Sequence, residues 1–101
     1  MKITFKPKSV IAQNLETVKT PEKLTERELT RALRDAIIAE EGAIKQYETV
    51  VDATDNSKIK ETLQEIADEE RVHVGELQTL LNSLLKDEED FLEEGKKEVE
   101  G

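Results

Sequence analysis

The chain has 101 residues, 36% hydrophobic, 39% charged and 3% aromatic, with a formal net charge of −9 and no cysteine. This composition points to one small all-α domain, whose long helices bury a narrow aliphatic stripe against a second copy rather than a bulky core. The acidity disfavours nucleic acid and anionic membranes as partners, and the missing thiols exclude disulfides, zinc–thiolate sites and iron–sulfur clusters, leaving carboxylates and imidazole to hold any metal.

Residues 1–35 carry eight Lys/Arg against five Asp/Glu, whereas residues 36–101 carry seven against nineteen. Residues 1–24 are interrupted by Pro7 and Pro21 and show no sustained periodicity. They are expected to form an extended or partly disordered arm, with Ile3, Phe5, Val10 and Ile11 tacking onto a neighbouring surface, and Thr20-Pro21 could start a short turn. The opening stretch MKITFKPKSVIAQ lacks the continuous apolar region of a signal peptide, and no apolar run approaches the roughly 20 residues of a membrane span. A cytoplasmic location is expected.

Residues 25–86 read as a helical hairpin. Thr25-Glu26-Arg27-Glu28 fits a capping box. From it, Leu29, Leu33, Ala36, Ile37, Ile44, Tyr47 and Val51 recur at the spacing of one helical face. Residues 52–57 are expected to form a turn cluster rich in capping side chains. The second run places positions 59, 66, 73 and 80 on one heptad series and 63, 70, 77 and 84 on the other. All eight positions are apolar except Glu70 and His73.

Residues 87–101 are strongly acidic. They are expected to form a short helix capped by Asp87, with Phe91 and Leu92 packing back, or to be disordered. Gly95 and the last residues are expected to fray.

Three polar residues interrupt the apolar seams. Glu40 lies within the arc of Leu33, Ile37, Ile44, Tyr47 and Val51, and a carboxylate there is costly unless paired, protonated or metal-bound. Glu70 and His73 are three residues apart on one face of the second helix. In an antiparallel hairpin the midpoint between 40 and 70 is Asp55, inside the turn cluster, so Glu40 and Glu70 share a level roughly 22 Å from the turn. A two-fold partner would cover the open seam and complete a set of two Glu and two Glu-x-x-His, as in ferritin-like di-metal bundles.

Blander readings attach to the neighbours. Tyr47 is core, or a hydroxyl that bonds a ligating carboxylate. Glu65, Glu69, Asp68 and Arg71 are solvated helix charge. Glu76 and Glu41 are also solvated charge, or outer carboxylates through which metal arrives. Gly42 and Gly75 are expected to allow close helix approach.

The two segments Ala36–Glu48 and Asp68–Leu77, reading AIIAEEGAIKQYE and DEERVHVGEL, resemble the encapsulated ferritin-like proteins. These half-ferritins are relatives of rubrerythrin and include domains fused to encapsulin shell proteins. The resemblance covers about residues 25–85. It implies a homodimeric four-helix bundle, in some members a ring of dimers (a decamer), working inside an encapsulin shell in the cytoplasm. It also implies that Glu40, Glu70 and His73 are ferroxidase ligands and Tyr47 a supporting residue. The expected reaction is oxidation of Fe(II) to Fe(III) at a di-iron centre between two subunits, with Mn or Zn as substitutes and Glu70 bridging. Two departures stand out: Ala39 and Gly42 occupy positions where some members have carboxylates, and the C-terminal GKKEVEG does not resemble a shell-docking peptide. The second leaves open whether the chain is cut from a longer protein or is not encapsulated by that route. The competing readings are a scaffolding hairpin whose buried polar residues fix register, and a peroxide-scavenging di-metal protein.

Overall fold

The computed structural model of the chain describes residues 22–101. Most of the expected N-terminal arm, including the turn at Thr20-Pro21, lies outside the described residues. What is described is three helices: α1 (Glu26–Ala53), α2 (Ser57–Leu84) and α3 (Glu88–Glu100).

Helix α1 begins where the sequence pattern places it. The Glu28 backbone N–H donates to the Thr25 hydroxyl at 3.1 Å, and the Thr25 N–H donates back to Glu28 Oε1 at 3.0 Å. This reciprocal box satisfies amides that have no partner within the helix. The Thr25 backbone N–H also holds the Glu28 carboxyl below its ordinary pKa. The helix runs past Val51 to Ala53 and stops at Thr54, whose backbone is extended. Asn56 then starts α2, its side-chain oxygen accepting from the amides of Lys58 and Ile59 at 3.1 Å each. A three-residue connection of this kind forces antiparallel neighbours.

Helices α1 and α2 pack along their length, but the layer they form is thin. Among the described residues, only Ile44, Ala67, Leu81 and Thr30 are buried. The described residues measure 66 × 45 × 15 Å, with a radius of gyration of 20.0 Å. A compact domain of 100 residues would have about 13 Å. Ile59, Val72 and Leu80 on α2 are 43%, 63% and 53% exposed, and Ile38 on α1 is 67% exposed. The hairpin therefore leaves large apolar side chains open, and of these Ile59 and Leu80 belong to the heptad series of His73. No helix among the described residues is long and apolar enough to cross a membrane.

The last segment differs from expectation in three ways. The Asp87 backbone is helical rather than extended and its side chain makes no capping bond. Phe91 and Leu92 do not pack back on the hairpin; they are 68% and 49% exposed. The helix continues through Gly95 to Glu100 instead of fraying. Its good helix formers outweigh one glycine, which costs only about 1 kcal/mol relative to alanine. What ties α3 to the hairpin is a bidentate ion pair, with Arg34 Nη1 and Nη2 donating to the two Glu88 carboxylate oxygens at 3.1 and 3.0 Å.

The glycines do not serve the close approach expected of them within the hairpin. A Cβ built on Gly42 or Gly75 would meet nothing within 4 Å, so neither is needed for α1 and α2 to approach each other.

Candidate metal centre

The hairpin register brings Glu40 of α1 beside Glu70 and His73 of α2. The Nδ1 atom of His73 lies 3.2 Å from Glu70 Oε2, one turn earlier on the same helix, and 3.8 Å from Glu40 Oε2 on the other. One ligand atom from each residue lies within 4.8 Å of the other two. This is the one group of three or more His, Asp or Glu among the described residues close enough to hold a metal ion.

The donor set fits a first-row divalent ion. Zinc, as a reference, binds imidazole nitrogen and carboxylate oxygen at about 2.1 Å in a tetrahedral site, so its ligand atoms sit about 3.4 Å apart. Closing from 4.8 Å needs only small side-chain rotations. Two carboxylate oxygens and one nitrogen suit iron, manganese or zinc, and no thiolate competes for them.

The burial of the three residues is graded. The side chains of Glu70, Glu40 and His73 are 19%, 29% and 48% exposed. Glu40 and Glu70 are held at the edge of the α1–α2 seam, as the heptad pattern indicates. His73 is more open than a seam position suggests, because its heptad companions Ile59 and Leu80 face the uncovered side of the hairpin. The cluster thus opens onto the apolar face that has no partner among the described residues.

The remaining expected residues lie around this cluster rather than in it. Tyr47 is half-buried, and its hydroxyl makes no hydrogen bond to another described residue. Glu41 is exposed and borders a groove with Ile44, Glu48, Arg71 and Val74. Glu76 is exposed beside Val72, Gly75, Thr79 and Leu80. Neither carboxylate joins the group of three. Arg71 makes a 2.8 Å ion pair with Glu48 across the hairpin. Both partners are well solvated, so this pair adds little to stability. The pair missed from sequence is Arg34–Glu88: nothing in the local pattern links residues so far apart in the chain.

Comparison with known proteins bears on the same region. The Rubrerythrin family profile matches residues 31–101, a span that includes all three clustered residues. Over 53 residues the chain is 49% identical to "Encapsulin nanocompartment cargo protein EncC" of Myxococcus xanthus, covering 52% of this chain and 41% of that protein. Over 75 residues it is 39% identical to "Ferritin-like-encapsulin shell fusion protein" of Pyrococcus furiosus, covering 74% of this chain and 22% of that one. The chain thus spans less than half the length of these curated relatives. Among solved structures, the encapsulated ferritin domain from Pyrococcus furiosus matches with a TM-score of 0.78 and 31% identity, over 97% of this chain and 92% of that one.

Proposed function

The chain belongs to the rubrerythrin family, as a ferritin-like domain related to encapsulin cargo proteins, and from this we propose that it is a ferroxidase acting at a di-iron centre between two copies. The carrying observation is the convergence of Glu40, Glu70 and His73, with ligand atoms within 4.8 Å, on the open face of the hairpin.

Three ligands from one chain are too few to enclose two metal ions. A second hairpin related by a two-fold axis supplies the same three residues again. The resulting four carboxylates and two imidazoles are the ligand set of the ferritin-like di-metal bundles. The same partner covers Ile59 and Leu80 and turns a 15 Å layer into a two-layer bundle. A ring of such dimers is the larger assembly we propose.

Ferrous iron is the substrate: two Fe²⁺ each give one electron and leave as Fe³⁺, while the oxidant takes both electrons and two protons from solvent, O₂ leaving as hydrogen peroxide or hydrogen peroxide as two waters. The chain's own residues hold and bias the metal. Glu40 and Glu70 present anionic oxygens, hard donors that favour the higher charge and so assist oxidation. Four carboxylates balance the four positive charges of two ferrous ions, which keeps the half-buried site near neutral when loaded. His73 supplies a neutral nitrogen, and its bond to Glu70 Oε2 holds the ring edge toward both carboxylates before metal arrives. Tyr47, one heptad after Glu40 on α1, is the residue to which we assign support of a ligating carboxylate. Glu41 and Glu76 are outer carboxylates on the approach to it. Manganese or zinc can occupy the same donors.

A four-helix bundle of this size encloses no room for a mineral. Ferric product must therefore be stored elsewhere, and the relatives' association with encapsulin supports an encapsulin shell in the cytoplasm as that place, reached by fusion or by cargo loading.

The test is aerobic addition of Fe²⁺ to the full chain, with the ferric product followed by absorbance. The double variant Glu70→Ala/His73→Ala should lose the fast phase, and oxidation at the wild-type rate by that variant would overturn the assignment. Repeating the assay anaerobically with hydrogen peroxide identifies the oxidant and separates a ferroxidase from a peroxide scavenger.

A further inference from the structure

The two helices that carry the metal cluster share few directional contacts. Among the described residues, Arg71 and Glu48 make the one side-chain hydrogen bond between α1 and α2, with Arg71 Nη2 donating to Glu48 Oε2 at 2.8 Å. Apart from His73 and Glu40 of the cluster, they are also the one ion pair that crosses from α1 to α2 among those residues. The seam is otherwise apolar contact around the buried Ile44, Ala67 and Leu81. Such contact is non-directional, so it resists separation of the helices better than it resists sliding.

The pair lies on the edge of the seam away from the cluster. At roughly 100° per residue, Arg71 stands about 100° from Glu70 around α2, whereas His73 stands about 60° from Glu70 the other way. On α1, Glu48 stands about 80° from Glu40, and the buried Ile44 falls between them. Arg71 and Glu48 accordingly border a groove with Glu41, Ile44 and Val74, which none of the three clustered residues lines. Glu48 is also about 12 Å nearer the turn than Glu40 along α1. Arg71 is the residue after Glu70, so the bond braces the hairpin diagonally at the level of the cluster.

Without metal, Glu40 and Glu70 hold two carboxylates in a group whose ligand atoms lie within 4.8 Å. Like charges at that range repel, and axial sliding of one helix past the other relieves the repulsion. The turn restrains sliding only from a distance, roughly 22 Å along the helices. The Arg71–Glu48 bond restrains it beside the cluster, and Asp68, 3.7 Å from Arg71 Nη1, steadies the guanidinium along α2.

We propose that Arg71 is a positioning residue for the metal centre: its bond to Glu48 keeps Glu70 and His73 level with Glu40 while the site is empty, so that metal meets a formed site. This rests on the metal-binding role proposed for those three residues. Arg71 and Glu48 are 60% and 39% exposed. The effect therefore has the small size of an exposed pair, and it is read in metal affinity rather than in folding.

Zn²⁺ titration of the full chain by calorimetry tests this without any turnover. Arg71→Gln removes a cation near an acidic site, so charge alone predicts tighter Zn²⁺ binding, whereas positioning predicts binding about threefold weaker. Glu48→Gln should weaken binding as well. The double variant Glu48→Gln/Arg71→Gln should bind no more weakly than the weaker single variant, because each residue acts through the other. Equal or tighter binding by Arg71→Gln, or losses that multiply in the double variant, would overturn the proposal. Methyl NMR of the metal-free protein reads the register independently. The Ile44 and Val74 signals should broaden in Arg71→Gln and sharpen again when Zn²⁺ is added, and signals as sharp as in the wild type would also overturn it. If Glu70→Ala binds Zn²⁺ as the wild type does, the metal-centre reading fails instead, and the metal-free spectra still decide whether Arg71 holds the register.

Discussion

The Nδ1 atom of His73 on α2 lies 3.8 Å from Oε2 of Glu40 on α1. That proximity exists only because the turn is centred on Asp55, which sets positions 40 and 70 level with each other. A shift of one turn would move the facing residues about 5.4 Å apart along the axis. The register of the hairpin is thus also the geometry of the candidate site, and the predictions below separate what each contributes.

Glu70→Leu should abolish metal binding while making the metal-free protein more stable. The residue is largely covered and lies close to a second carboxylate, an arrangement that favours a bound cation and is unfavourable without one. Replacing buried polar groups by apolar ones commonly stabilises, and each kcal/mol gained raises Tm by about 4–8 °C in a domain of this size. Differential scanning fluorimetry with chelator, alongside metal analysis, checks both halves. A lower Tm for the chelated variant would mean that Glu70 sets register rather than binding metal.

Leu80 and Leu81 distinguish the chain's own core from the surface between copies. Leu81 is fully buried within one chain, whereas Leu80 is 53% exposed. Leu81→Ala should cost about 2–5 kcal/mol in any assembly state. Leu80→Ala should cost a comparable amount if a second copy covers it, and no more than about 0.5 kcal/mol if it stays on the surface. Denaturant unfolding at several protein concentrations reads the difference, with the Leu80 variant showing the stronger concentration dependence.

Glu88→Gln should release α3 from the hairpin at neutral pH. Arg34 holds the Glu88 carboxyl below its ordinary pKa, and Glu88 correspondingly raises that of Arg34. A carboxyl whose folded pKa is depressed contributes stability above its unfolded pKa, about 4.3, and loses it as pH falls through the lower folded value. Acid should therefore loosen α3 in the wild type below about pH 4. Hydrogen exchange of amides 88–100 should rise in the variant at pH 7 and show no further step on acidification.

Thr25→Ala removes the hydroxyl that accepts from the Glu28 N–H and leaves only the backbone half of the α1 capping box. The expected loss is about 1 kcal/mol, seen as a lower unfolding midpoint with unchanged metal stoichiometry. Thr25→Ser, which keeps the hydroxyl, should restore most of it.

Much of the hairpin was legible in the sequence because two signals agreed. The apolar period marks both long helices, and Thr25 with Glu28 marks the start of the first. Glu40, Glu70 and His73 were legible as a group because each is polar at an apolar position, and the midpoint rule places them together. The third helix was harder to read, since its apolar residues follow a helical spacing but point away from the hairpin. Periodicity gives a face and not the identity of what covers it. For the same reason the openness of His73 was missed: a heptad seam reads as buried whether its partner is the same chain or another. The Arg34–Glu88 pair joins distant residues and leaves no local pattern.

The central claim is that two chains jointly hold two iron ions. Diffraction from iron-loaded crystals, collected on either side of the iron absorption edge, tests it most directly. The account requires two anomalous peaks beside a two-fold axis, each within bonding distance of carboxylate oxygens from Glu40 and Glu70 and a nitrogen of His73, with both chains contributing. Iron bound by a single chain, or found only along the acidic α3, would contradict it.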